Sequence, residues 1–309
     1  QRTLRIPDDG RDYPLPPGLG RFPLRHVDDF GGRVPAVWGE HGGVMLPMYQ
    51  AEALWLNFDS EGADSWQPYR FAVKIATGKM SAVTGEGWRE GLHRDPQDYL
   101  VVPEQPWLDG YCVERGIIRQ FVAMPLGEGY TAEEQLTGAG QHGGIQILVH
   151  PMKREVYERR FRRREYLANV MCCESRAYSP AMGLAPGDRM RQQIYRDRYD
   201  LSDWDQRQSS RCFVHITNSV TWQAITGERP PTKPMTPQDY TKAGLPWFDY
   251  YVADLQALEG AGALGGLKSL GKMTAQKGKP LPDNAPVSPQ VVMPLGPRGE
   301  GRPVREGKF

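Results

Sequence analysis

Four aspartates lie within a segment of nine residues, and carboxylates at this density are the groups that bind calcium. They are Asp197, Asp200, Asp203 and Asp205. Calcium takes several oxygen ligands that converge on one point, and this segment supplies them if the loop curls. The ligand spacing and the central glycine of an EF-hand loop are missing. Three interpretations therefore stand: a weak calcium site, a solvated turn that caps neighbouring helices, or a sugar platform formed with the interleaved Tyr199 and Trp204.

A glycine-rich segment at residues 138–144 matches the letters of the dinucleotide-binding motif G-x-G-x-x-G. In that motif the loop follows a strand and opens a helix, so that the phosphate meets the helix N-terminus. Here a predicted strand at residues 145–149 follows the glycines. We therefore predict a hairpin or bulge turn at this segment, and no cofactor.

The histidines and cysteines form no recognisable catalytic or zinc motif. His142 and His150 flank the predicted strand 145–149, and His215 lies within another, where a histidine is typically a hydrogen-bonded core residue. Cys212 and His215 are three apart on one strand and face opposite ways, so they are not a local nucleophile–base pair. No Cys-x-x-Cys pair is present. We expect buried cysteines, with a bridge between Cys112 and Cys212 left open. Whether the protein is an enzyme also stays open.

Composition excludes several broad classes of protein. The net charge of +1 gives no global electrostatic case for a nucleic acid or an anionic membrane as partner. The mean hydropathy is −0.58, and no run of eighteen apolar residues occurs. We expect a soluble protein without a membrane span, in a compartment that the sequence does not identify. The chain begins with Gln1, which indicates either a removed leader or a designed start.

Alternating apolar residues predict the sheet that positions these groups. Residues 70–76 and 79–84 read as a β-hairpin around Thr77 and Gly78, with Phe71, Val73 and Ile75 on one face. Other predicted strands cover residues 99–102, 117–123, 145–149 and 211–217. Helices are predicted from Pro151 to Met171, from Pro237 to Gly244 after the N-cap Thr236, and from Asp249 to about Gly260.

The helix after Pro151 has a dense basic face that includes Arg159, Arg160 and Arg163. Like charges this close destabilise an isolated helix unless acidic groups oppose them. One interpretation is a solvated face balanced by neighbouring glutamates. The other is a docking face for an acidic segment such as residues 197–205. Trp107 and Trp247, which lie in rigid Pro/Gly turns, are further interaction candidates or residues that seal the rim of a β core.

The composition divides the chain into an extended arm (1–35), a β-rich body (36–265) and a strap rich in proline and glycine (266–309). The strap has too few apolar residues to order by itself, so it needs a surface to lie on, either the body or a second copy. We expect a chain ending at Gly265 to stay folded and to lose assembly.

Several motifs resemble a family of uncharacterised proteins from GC-rich bacteria and filamentous fungi. They are residues 102–110 (VPEQPWLDG), 119–127 (RQFVAMPLG), 143–146 (GGIQ) and 245–249 (LPWFD). The resemblance covers about residues 35–250 and implies no activity, cofactor or site.

Together these patterns predict an α+β fold. Its β-rich body is a sandwich-like or barrel-like antiparallel sheet with peripheral helices, and extended arms flank it at both ends. For function, we expect a structural, self-associating protein that forms a homo-oligomer or a higher assembly through its arms. The alternatives are a glycan- or protein-binding module, or an enzyme of unrecognised type.

Overall fold

The computed structural model describes residues 1–58, 68–161, 181–250 and 255–295. Within these ranges, twelve strands form one mostly antiparallel sheet, and two further pairs of strands lie outside it. Short helices pack around the sheet. The predicted β-rich α+β fold is therefore confirmed.

The strands in chain order are β1 (Arg2–Thr3), β2 (Arg25–His26), β3 (Val44–Pro47), β4 (Ala53–Leu54), β5 (Leu56–Asn57), β6 (Phe71–Thr77), β7 (Met80–Ser81), β8 (Leu100–Val102), β9 (Trp107–Leu108), β10 (Gly110–Glu114), β11 (Ile117–Pro125), β12 (Ile145–Pro151), β13 (Ala181–Arg191), β14 (Ser210–Thr217), β15 (Trp247–Tyr250) and β16 (Val292–Leu295). The α-helices are α1 (Ala36–His41), α2 (Ala132–Thr137), α3 (Arg154–Phe161), α4 (Ser219–Thr226), α5 (Pro237–Lys242), α6 (Gly262–Gly265) and α7 (Leu270–Gln276).

The main sheet has the order β1-β4-β11-β13-β14-β12-β6-β7, and β10, β8, β3 and β2 pair beside this path. Ala82, which follows β7, connects β6 with β10. The Ala82 amide donates to Ile75 O of β6, and the Cys112 amide of β10 donates to Ala82 O, each at 3.0 Å. Tyr111 crosses the enclosed core, where its hydroxyl lies 2.9 Å from Thr77 Oγ1 and donates to Leu184 O at 3.0 Å.

The predicted hairpin is confirmed as β6 and β7, which pair antiparallel around Gly78. Gly78 has a φ of 58°, which glycine adopts without a steric penalty. Val73 and Ile75 lie in the main core and Phe71 packs against it, so the predicted face is confirmed as well. The other four predicted strands correspond to β8, β11, β12 and β14.

Two predicted helices are corrected. Pro151 ends β12, where it pairs with Phe71, and α3 begins only at Arg154. The rest of that predicted helix, beyond Phe161, lies outside the described residues. Asp249 belongs to β15, which pairs with β16, and residues 255–260 form no helix. The helix after Thr236 is confirmed as α5, with Thr236 and Asp239 forming a capping box.

The N-terminal arm is part of the main core. Leu4, Ile6 and Tyr13 are at most 2% exposed. The amide side chain of Gln120 fixes the arm, because its Oε1 accepts from Ile6 N–H at 3.1 Å and its Nε2 donates to Leu4 O at 2.8 Å. The Gln120 side chain thus pairs with one N–H and one C=O of the arm, and it holds the backbone of the arm much as a neighbouring strand does.

The strap lies on the chain's own body over residues 266–295. Leu270 and Val287 are buried, and Leu270 belongs to a small apolar cluster with Met124 and Tyr130. The carboxylate of Asp8 accepts from the hydroxyl of Ser269 at 2.9 Å and from the Gly271 amide. This packing favours the body as the surface that orders these residues. It also argues that removing the strap destabilises the body.

In the part of the chain that is described, no helix is long and apolar enough to cross a membrane.

We expect Leu270→Ala to lower the free energy of unfolding by about 3 kcal/mol, because it removes a buried leucine and leaves a cavity. Leu24→Ala is the matched control, because Leu24 is 55% exposed. Its effect is expected to stay within about 0.5 kcal/mol. Urea denaturation followed by tryptophan fluorescence measures both. Equal, small effects of the two changes would show that the strap contributes nothing to folding.

Candidate ligand-binding groove

Strand β14 supplies side chains to both faces of the sheet. Because side chains alternate along a strand, Val214 and Ile216 enter the main core, while Arg211, Phe213 and His215 face the opposite way. In register, Phe213 lies beside Gln146 of β12, and Arg211 beside Leu148. The outer face of β14 therefore presents a cation, an aromatic ring and an imidazole in a row.

Above this face lies a groove of about 320 Å³, which we call the histidine groove. Its walls come from the end of α1, the β6–β7 turn, the segment after β7, the loop before β12, and β14. Three of the chain's six histidines line it. The lining residues used below are Trp38, His41, Lys79, Trp88, Glu90, His142, Arg211, Phe213 and His215.

His215 is a fixed, neutral imidazole at the base of the groove. Its Nε2 lies 3.0 Å from Gly42 O, so this nitrogen carries the proton and donates. The ring stacks on Trp38 at 4.3 Å between centroids. Burial lowers the pKa of His215 to about 4. The side chain is therefore uncharged near neutral pH, and it orders the α1 end of the groove.

The close approach of α1 to β14 requires glycine at position 43. A Cβ there would lie 2.2 Å from Phe213 O, and Gly43 has a φ of 88°. His41, two residues earlier, has its ring centroid 4.8 Å from that of Phe213. The backbone contact thus brings a second histidine to the aromatic side of the groove.

The glycine-rich loop 138–144 binds a carboxylate of its own chain. Glu133 Oε1 accepts from the amide of His142 at 3.1 Å, and Glu133 Oε2 accepts from the amide of Gly143 at 3.0 Å. Convergent backbone amides of this kind form an anion-binding nest. The loop connects α2 to β12, with Gly138 as the left-handed C-cap of α2, so the predicted hairpin or bulge turn is wrong. The nest is occupied by Glu133, and it holds His142 at the rim.

The rim of the groove is cationic. Lys79, Arg211 and His142 lie there together with one carboxylate, Glu90. Arg211 Nη2 donates to both oxygens of Glu90 at 2.9 and 3.0 Å, which lowers the pKa of Glu90. Burial and the neighbouring Lys79 lower the pKa of His142. Glu90, the one carboxylate among these rim residues, is thus bound to Arg211 and does not neutralise Lys79. An anion in the groove therefore meets a net positive charge.

Trp88 forms a half-buried aromatic wall. The nitrogen of Lys74 lies 4.9 Å from the Trp88 ring centroid, and the guanidinium carbon of Arg211 lies 5.2 Å away. Both cations come from the same face of the sheet, because Lys74 and Arg211 each pair with Leu148. Trp88 Nε1 also donates to Glu90 at 3.0 Å. The ring is thus held in one orientation at the groove.

The four aspartates serve structural roles. Asp197 is buried, and its Oδ2 accepts from the hydroxyl of Tyr99 at 2.6 Å and from Trp204 Nε1 at 2.8 Å. Asp200 and Asp203 form the capping box of the 3-10 helix Leu201–Asp203, and Asp205 accepts from the Arg207 amide. The capping box belongs to the segment's own 3-10 helix, and Asp197 and Asp203 are buried, so the predicted solvated turn that caps neighbouring helices is wrong. Within the described ranges, no group of three or more His, Cys, Asp or Glu is arranged to hold a metal ion.

The predicted contact between the basic helix and the acidic segment occurs within the chain. Arg160 Nη2 lies 3.0 Å from Asp203 Oδ2. Arg159 is exposed on the same helix, and Arg163 lies outside the described residues. Trp107 packs between Trp55 and Tyr250, whereas Trp247 is 2% exposed and packs between Tyr13 and Tyr240. None of these residues lines the histidine groove.

Comparison with protein-family models, with curated proteins and with solved structures gave no match. The resemblance stated from the sequence motifs stays a prediction.

The sequence analysis missed the groove, although it named His142 and His215. The alternation of Arg211, Phe213 and His215 is visible in the sequence, but Trp88 and His41 are brought to this face only by the tertiary fold.

The buried His215 should make stability depend on pH. In the folded state the imidazole of His215 stays unprotonated down to about pH 4. In the unfolded chain it takes up a proton near its ordinary pKa of 6.5. The His215 contribution is therefore constant above pH 6.5 and falls as the pH drops to 4, by about 3 kcal/mol in total. The measurement is the difference between the stability curves of the wild type and His215→Gln, which keeps a donor for Gly42 O. A difference that stays flat across this window would contradict the assignment.

Proposed function

We propose that the protein is a binding module and that the histidine groove holds its ligand, a small acidic saccharide. The observation that carries the proposal is the combination, in one groove, of two half-buried aromatic rings with a net cationic rim. Phe213 and Trp88 offer apolar faces of the size of a sugar ring. Lys79 and Arg211 offer charge-assisted hydrogen bonds to a carboxylate.

The groove favours binding over catalysis. The one carboxylate on its rim, Glu90, is engaged by Arg211 and Trp88, and His215 donates to a backbone carbonyl. A general base needs a free acceptor within hydrogen-bond reach of the reacting proton. Among the remaining groups, the exposed Lys79 is suited to attracting an anion.

The test is isothermal titration with digalacturonate and with its dimethyl ester as the uncharged match. We expect the acid to bind more tightly than the ester, and Arg211→Ala to weaken binding of the acid about tenfold, which corresponds to 1.4 kcal/mol. Binding should also strengthen as the pH falls below 6.5, because protonated His142 adds positive charge.

Arg207→Ala is the matched control, because Arg207 is exposed and lies outside the groove lining. Its affinity for digalacturonate should equal that of the wild type. Equal affinity for acid and ester, or equal effects of the two arginine changes, would contradict the proposal. Analysis of the sugar after incubation separates binding from catalysis, since a binding module returns it unchanged.

A second candidate function is self-association through the strap, and the exposed apolar residues of β16 and of Val291 just before it favour this function. Val291, Val292 and Met293 are 52%, 40% and 48% exposed. Among the described residues, β16 pairs with β15 alone, so its other edge offers backbone groups to a further strand.

If β16 joins two copies, Val292→Lys should lower the native mass measured by light scattering, because an edge lysine opposes strand pairing. Val220→Lys is the control, since Val220 is 76% exposed on α4. An unchanged mass in Val292→Lys, or a wild type that is already monomeric, would remove this candidate.

A further inference from the structure

A second cavity lies between the arm, β4 and the strap. Its volume is about 390 Å³, within the range of small-molecule sites. We call it the strap cavity, and its lining includes Arg5, Ala51, Met124, Tyr130, Leu281 and Asp283.

The floor of the strap cavity is apolar. Met124 and Tyr130 are at most 2% exposed and belong to the apolar cluster that includes Leu270, with Leu281 packed against it. A ligand that reaches this floor removes apolar surface from water, which favours an aliphatic or aromatic body.

Backbone strain is concentrated at this cavity. In the described ranges, the non-glycine residues with positive φ are Ala51, at 62°, and Asp283, at 52°. Both line the strap cavity, on opposite segments of the chain. Such conformations cost energy, and they cluster at ligand sites where the surrounding structure enforces them.

The polar end of the cavity contains a cation that is only partly compensated. Arg5 directs one nitrogen, Nη2, to the main-chain oxygens of Pro282 and Asp283. Burial lowers the pKa of Arg5, with the carboxylates of Asp283 and Asp8 acting in the opposite direction. The nearby Glu52 is already paired with Arg2 at 3.2 Å, and Lys279 lies 3.5 Å from Glu128. Arg5 is half-buried, and a guanidinium whose hydrogen-bond partners are neutral carbonyls favours an added anion.

The geometry points to a second ligand site in the strap cavity for a small amphipathic carboxylate, with its apolar body on Met124 and Tyr130 and its carboxylate at Arg5. The site is separate from the histidine groove and does not depend on the saccharide proposal. Because the walls include the arm and residues 279–283 of the strap, the ligand would also link the strap to the body.

The experiment uses the full chain and three probes with the same aliphatic chain: octanoate, octan-1-ol and octylammonium. Thermal melts and calorimetric titration compare them. Octanoate is expected to bind with a Kd at least tenfold below that of octylammonium and to raise the melting temperature by mass action. The Kd of octan-1-ol should lie between those of octanoate and octylammonium. Octylammonium binding as tightly as octanoate, or octanoate not binding at all, would overturn the inference.

Two variants locate the site. Arg5→Gln should weaken the binding of octanoate about tenfold and leave the binding of octan-1-ol unchanged. Arg11→Gln, which changes an exposed arginine of the same arm, should leave the binding of both probes unchanged. Met235→Trp places a larger side chain at the cavity wall, so it should abolish octanoate binding and leave digalacturonate titration unchanged. Octanoate binding that persists in Met235→Trp would overturn the inference even if Arg5→Gln does not fold.

Discussion

The register of β6, β12 and β14 is the constraint on which the rest of the structure depends. These strands send Val73, Ile145 and Val214 into one core. Because side chains alternate, the same register aligns Lys74, Leu148 and Arg211 in a row on the other face. A slip of one residue would turn Lys74 and Arg211 toward the apolar core and move the core residues to the other face. Burial of the core residues therefore fixes the position of the groove residues.

The loops that complete the histidine groove are held by polar contacts that the sheet positions. Glu133 binds the amides of the loop before β12, and His215 binds the carbonyl of Gly42 after α1. The Glu133 carboxylate and the His215 imidazole are both hydrogen-bonded to backbone groups of these loops. Such hydrogen bonds hold a loop in place without leaving the buried polar group unpaired. The groove is thus largely formed before any ligand arrives. A site that is already formed avoids the entropy of ordering loops on binding.

Much of the sheet could be predicted from the sequence, because β6, β11, β12 and β14 alternate clearly or run apolar between turn residues. The eleven-residue β13 could not, since it contains Pro186 and two glycines, and its register with β11 shifts near Arg119. Short capped helices such as α5 were predictable because Thr236 and Pro237 mark the start. Composition predicted an extended arm and an extended strap, but the arm contains a 3-10 helix (Asp28–Arg33) and the strap contains α7. Their burial depends on partners such as Gln120 and Ser269, which are distant in the chain. The same is true of the groove, whose walls come from five separate segments.

The claim at the centre of this account is that the histidine groove is a ligand site, and NMR of the histidine side chains tests it most directly. Uniformly ¹⁵N-labelled protein would be titrated with digalacturonate while all six imidazoles are observed. If the histidine groove binds the sugar, the ring signals of His41 and His142 shift in proportion to saturation, with a smaller change at His215. His26, His93 and His150, which lie outside the groove lining, should stay in place. Ring signals of the groove histidines that do not shift, or equal shifts of all six histidines, would contradict ligand binding in the groove.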